Sequence, residues 1–116
     1  MEARAPWGPE RRAGARVPAD LTAHCRRLGR SGVDEDVQVL DLSLGGLRIA
    51  APDRLQVKDV VELTMQSDAT PLTLRGLVVG TTAGRTGVSY GHIAFTGLGA
   101  FGLERVGHLL EVLTTG

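Results

Sequence analysis

Short runs in which every second residue is apolar cover most of this chain, and each run ends at glycine, proline or a small polar cluster. From about Asp20 to Arg27, Leu21, Ala23 and Cys25 alternate with Thr22, His24 and Arg26, which predicts a strand with one wet face. Val37 and Val39 carry a second run over about 36–42, and Leu47 and Ile49 a third over about 46–50. Gly45-Gly46 between them predicts a hairpin. Pro52 closes it, because proline cannot donate to a strand ladder. Val60, Val61, Leu63 and Met65 predict a fourth strand; Leu72, Leu74, Leu77, Val78 and Val79 a fifth, with Gly76 as its expected bulge. A sixth runs from Val88 to Phe95, with Val88, Tyr90 and His92 on one face. Leu28 to Asp36 reads as a turn-rich connection whose acidic run is solvated, and Thr81 to Gly87 as a small polar loop.

The rhythm then changes. Leu103, Val106, Leu109, Leu110 and Leu113 recur at three- and four-residue intervals, the stripe of an amphipathic helix over about 101–114. Gly107 weakens that helix by roughly 1 kcal/mol relative to alanine, so packing onto the sheet must hold it. Six strands separated by turns imply an antiparallel barrel or sandwich with a terminal helix. The stripe is used up by the chain's own sheet, which favours a monomer over a homodimer.

Residues 1–19 break the pattern. Pro6, Pro9 and Pro18 with Gly8, Gly14 and several charges suit a flexible arm, leaving 20–116 as the folded domain. The formal net charge of zero conceals a division. Residues 1–32 hold seven arginines against three acidic side chains, a balance of +4, and 33–116 a compensating −4. Arginine rather than lysine supplies all the positive charge of the first segment, and its planar fork suits phosphate and guanine edges. The 16 glycines fit a turn-rich β protein. No apolar run reaches the roughly 18 residues of a membrane span and no leader pattern precedes the arm, so a cytoplasmic location without membrane insertion is expected. One cysteine, Cys25, fits a reducing compartment and reads as a small strand residue.

Two stretches carry candidate chemistry. Arg12 and Arg16 stand four apart on the arm, directly after Arg11, and Asp41-x-Ser43-x-x-Gly46 occupies the hairpin turn. Separately, each has an ordinary explanation: a solvated basic tail, and a turn whose Asp41 and Ser43 cap their own backbone. Together, in this order and separated by a strand, a loop and a strand, they resemble the PilZ domain, which is marked by an R-x-x-x-R arm and a [D/N]-x-S-x-x-G turn. The resemblance runs from about Glu10 to Leu113. It implies a six-stranded antiparallel split β-barrel with a C-terminal helix, and a bacterial receptor for the second messenger cyclic di-GMP.

The residue chemistry agrees. Cyclic di-GMP presents two phosphates and two guanines. Arginine can grip phosphate or the guanine O6/N7 edge in bidentate fashion and can stack on a base. The resemblance gives these roles to Arg12 and Arg16, and Arg11 adds a third guanidinium of the kind that accompanies two intercalated ligand molecules in the family. Asp41 can accept from the guanine N1–H and N2–H₂ edge. Ser43 can donate to the ligand or brace the turn, and Gly45 and Gly46 would let the backbone approach it. No cofactor, metal or catalytic residue is expected. The arm would order over the ligand and signal to a separate, unidentified protein in motility, exopolysaccharide, biofilm or virulence control.

Three rivals remain. An enzyme would have to use His24, His92 or His108 with Ser43 or Cys25, without a nucleophile elbow, metal pair or P-loop. A nucleic-acid-binding barrel would suit the arginine arm, but stacking aromatics are few and the body is acidic. A PilZ-like adaptor that binds protein but no nucleotide is the third.

Overall fold

The computed structural model describes residues 16–29, 34–52, 55–67 and 70–115. Six antiparallel strands form a closed barrel in the order β1-β2-β3-β6-β5-β4. The strands are β1 (Val17–Leu28), β2 (Asp34–Leu42), β3 (Gly46–Ala51), β4 (Val60–Ser67), β5 (Thr70–Ala83) and β6 (Ser89–Phe95), followed by one helix, α1 (Gly99–Thr115). All six expected strands and the terminal helix are present. Pairing of β4 with Ala23–Leu28 of β1 closes the sheet, so every strand has a neighbour on each side over part of its length.

Alternation fills the interior. Ala23 and Cys25 of β1, Val37, Val39 and Leu42 of β2, Leu47 and Ile49 of β3, Val61, Leu63 and Met65 of β4, Leu72, Leu74 and Val78 of β5 and Ile93 of β6 form one buried cluster. Helix α1 adds Val106 and Leu109, with Leu110 and Leu113 packed at the margin, and lies against β1. Leu103 was expected on this stripe but is 47% exposed, and Phe101 is 72% exposed. The buried face therefore begins at Val106; Phe101 and Arg105 instead border an open groove beside β5, and Leu103 a shallow one beside Leu44.

Several boundaries differ from the sequence reading. β1 begins at Val17, so the last residues assigned to the arm already pair with β2, Pro18 facing Asp41. β5 continues to Ala83, and only Arg85–Gly87 forms a 3-10 turn. The bulge in β5 lies at Val79, between the Val78–Ile93 and Gly80–His92 pairs, and not at Gly76. Gly76 has a different reason to be glycine: a Cβ there would meet Ile93 Cγ2 at 2.5 Å and the Ala94 carbonyl at 2.7 Å. On β6 the outward residues are Tyr90 and His92, whereas Val88 precedes the strand.

The acidic run also divides. Asp34 and Asp36 are exposed beside His24, but Glu35 turns inward and accepts from Arg27 Nη2 at 2.8 Å. Continuing the β1 alternation one step past Cys25 brings Arg27 inside, where its charge requires a partner. Cys25 is fully buried, and burial, reinforced by Glu35, raises its thiol pKa to about 11.

Two predictions follow from this packing. No atom lies within 4 Å of a Cβ built on Gly107, so Gly107→Ala should raise unfolding stability by about 1 kcal/mol in denaturant titration. Cys25 should react with a soluble disulfide reagent only through global unfolding, so denaturant added below the transition should speed the reaction in step with the falling unfolding free energy.

Candidate functional site

The site is built where β1, β2 and β3 run side by side beside the hairpin turn. Val39 pairs with Ile49, and Asp41 with Arg48, so Leu40 is one extra residue on β2. That extra residue reverses the alternation: Val39 and Leu42 both point inward, and Asp41 moves to the outer face beside Arg48. At the same level β1 carries its own irregularity between Pro18 and Leu21. Both irregularities therefore lie, in the register, next to Asp41, which pairs with Pro18 on one side and Arg48 on the other.

Asp41 is held from both sides. Arg16, immediately before β1, donates from Nη1 to Asp41 Oδ1 at 2.6 Å. Arg48 places Nε 3.1 Å from Asp41 Oδ2. That second contact is an ion pair rather than a formed hydrogen bond, because the buried Nε–H is not directed at the oxygen. The carboxylate is 12% exposed, whereas the two arginine side chains are 46% and 43% exposed. Arg16 and Arg48 thus bracket a nearly covered acceptor while their own ends reach water.

Ser43 closes the turn. Its Oγ accepts from the N–H groups of Gly45 and Gly46 and donates to the Gly46 carbonyl, each at 3.2 Å, while its own N–H donates to that carbonyl at 2.8 Å. Of the two roles open to Ser43, bracing the turn is the one these contacts perform. The Gly45 carbonyl accepts from Phe95 N–H at 2.9 Å and ties the turn to β6. A Cβ on Gly46 would run into the Ile93 carbonyl, so this glycine admits the neighbouring strand's backbone; Gly45 has nothing within 4 Å of its missing Cβ.

Of the sequence-predicted site residues, Arg16, Asp41, Ser43, Gly45 and Gly46 therefore converge on one barrel rim. Arg11 and Arg12 lie outside the described residues. Arg48 was missed. Its signal was present in the hairpin itself: a turn pairing Leu42 with Leu47 necessarily sets residue 41 opposite residue 48. The residues needed for hydrolytic chemistry are not assembled. Ser43 Oγ is occupied within its turn, Cys25 is enclosed in the core with a raised pKa, and among the described residues no group of three or more His, Cys, Asp or Glu could hold a metal.

The PilZ domain model matches residues 10–110. The chain belongs to the PilZ domain family. PilZ domains are non-catalytic modules. Solved PilZ structures share its fold. The PilZ domain of CeSA from a cellulose-synthesizing bacterium superposes with a TM-score of 0.68 at 21% identity, covering 87% of this chain and 99% of the other. The PilZ domain of YcgR from Escherichia coli, solved with c-di-GMP, gives 0.73 at 14% identity, covering 90% and 92%. K. pneumonia MrkH in its apo state gives 0.69 at 17% identity, covering 99% of this chain and 54% of that one. No curated protein matches the sequence. Among the described residues no helix is long and apolar enough to cross a membrane.

The two turn glycines separate cleanly. Gly46→Ala should lower unfolding stability by about 2 kcal/mol or more through overpacking against β6. Gly45→Ala should stay within about 0.5 kcal/mol of the parent in the same denaturant titration.

Proposed function

We propose that this PilZ domain is a receptor for cyclic di-GMP. The observation that carries the reading is the Asp41 carboxylate on the outer barrel face, bracketed by Arg16 of R-x-x-x-R and by Arg48. A guanine Watson–Crick edge offers two N–H donors to a carboxylate, and guanidinium forks complement phosphates and the O6/N7 edge. The described part of the site contains both complements within one hydrogen-bonded group. Support also comes from the relatives, since the YcgR PilZ domain was solved with c-di-GMP and the B. burgdorferi PlzA protein in complex with it.

In this reading Arg16 leaves or shares Asp41 when a guanine arrives, and Arg12 and Arg16 close over the phosphates. Arg11 provides the extra guanidinium that a second, intercalated nucleotide would require. Ser43, Gly45 and Gly46 keep the turn in a fixed shape beneath the ligand. Ordering the arm costs conformational entropy that charge-assisted contacts offset, so the arm's position reports occupancy. A separate protein then reads that position in the cytoplasm, in control of motility, exopolysaccharide or biofilm.

Calorimetric titration of cyclic di-GMP into the parent protein and an Arg12→Ala, Arg16→Ala double variant tests this. Saturable binding by the parent and a loss of about a hundredfold or more in the variant are expected, since each charge-assisted contact is worth about 1.5–3 kcal/mol. The molar ratio distinguishes one nucleotide from two. Absence of binding by folded parent protein would reject the receptor reading and favour an adaptor that contacts protein alone.

A further inference from the structure

We infer that Arg48 is a direct ligand-binding residue: a guanidinium carried by the sheet itself that takes a phosphodiester oxygen of the bound nucleotide. The inference rests on the cyclic di-GMP reading and extends its site to a residue outside both sequence motifs.

Placement comes first. Cross-strand register aligns Asp41 on β2, Arg48 on β3 and His92 on β6 in one row on the outer face. Gly80 continues the row on β5 and contributes no side chain, so the surface beyond His92 is low. Arg48 thus projects from the middle of the row on a strand paired on both sides. The register holds its Cα in place with or without ligand.

Charge comes second. Arg16 and Arg48 share a single carboxylate, which leaves the trio with one uncompensated positive charge. Among the described residues Asp41 is the carboxylate paired with these arginines, while Asp20 Oδ1 accepts from the neutral Gln38 Nε2 at 2.5 Å. His92, on the other side of Arg48, is neutral or positive and cannot neutralise it. The complement this row lacks is an anion.

Hydrogen-bonding capacity comes third. Only Nε of Arg48 approaches Asp41, and its N–H is misdirected. Among the described residues the terminal guanidinium nitrogens have no acceptor, although the side chain is half-exposed at this rim. Nε is enclosed against Asp41, so the donors of Arg48 still open to a ligand are the terminal nitrogens at the exposed end of the side chain. A phosphodiester oxygen meets the free end in bidentate geometry while Nε remains against Asp41. Asp41 is then left to accept the guanine edge, and base and phosphate are read by adjacent residues of the same strand pair.

Arg48→Ala and Arg48→Lys should be titrated with cyclic di-GMP beside the parent, at about 50 mM and about 500 mM salt. Arg48→Ala should bind about ten- to a hundredfold more weakly at low salt, as expected for one charge-assisted contact. The deficit should narrow at high salt, and Arg48→Lys should recover part of the affinity as a point charge without a fork. Thermal midpoints should stay close to the parent's. Affinity of Arg48→Ala within about twofold of the parent overturns the inference while leaving the receptor reading intact. So does a loss that lysine does not relieve and that salt does not change, since that pattern belongs to a structural role. No binding by the parent removes the receptor reading and this inference with it.

Discussion

One extra residue at Leu40 decides which way the site faces. In a closed barrel every strand position belongs either to the packed interior or to the outer face, and neighbouring residues take opposite sides. Counting outward from Val39 without an interruption would send Asp41 into the core and Leu42 into water. A carboxylate enclosed among Leu47, Ile49 and Val39 would lose its hydration with no compensating donor, and Leu42 would lose its burial. The bulge resolves both conflicts together. It turns Asp41 out beside Arg48, keeps Leu42 fully buried, and, with the matching irregularity in β1, brings Arg16 within hydrogen-bond distance.

The turn that follows is rigid for a reason separate from ligand chemistry. Ser43 uses one donor and two acceptor directions on Gly45 and Gly46, and Phe95 anchors the Gly45 carbonyl from β6. Gly46 lets the two backbones approach at a distance no other residue would permit. The serine and the second glycine of the D-x-S-x-x-G pattern thus make a fixed platform, and the aspartate alone presents a side chain to the outer surface. Motif residues of this kind earn their place by holding geometry, which explains why serine and glycine suit positions where the ligand chemistry itself would accept several alternatives.

Much of the barrel was legible in the sequence because one face of each strand is buried: the apolar positions of β1 to β4 recur at a period of two and correctly name the core. Legibility failed where a residue count and not a residue type carries the information. The Leu40 bulge is invisible in a run reading Val-Gln-Val-Leu-Asp-Leu, since leucine suits either side of a bulge. The β5 bulge at Val79 was hidden for the same reason, and Gly76 drew the reading because glycine is the commoner marker of an irregular strand. Leu103 fits the helical stripe by spacing, but spacing does not reveal which turns of a helix the barrel covers. Glu35 looked solvated among acidic neighbours, and only its position opposite Cys25 shows that it enters the barrel to meet Arg27.

Arg48 belongs to the same class of omission, with a consequence for how the proposed receptor would collect an anion on a barrel built mostly from an acidic segment. Residues 33–116 carry a formal −4, so their long-range field opposes an incoming phosphate. Screening limits that repulsion to roughly the 8 Å Debye length at physiological salt, and inside that range the local arrangement governs. There the balance is reversed, because two guanidiniums stand against one carboxylate on the outer face. Asp41 serves this reversal in two ways. It gathers the arginines into one place despite their mutual repulsion, and in the proposed receptor it would offer a guanine edge an acceptor that an arginine-only surface would lack. A purely basic patch would attract any polyanion; a carboxylate set between arginines favours an anion that also brings N–H donors, which is the chemical description of a guanine nucleotide.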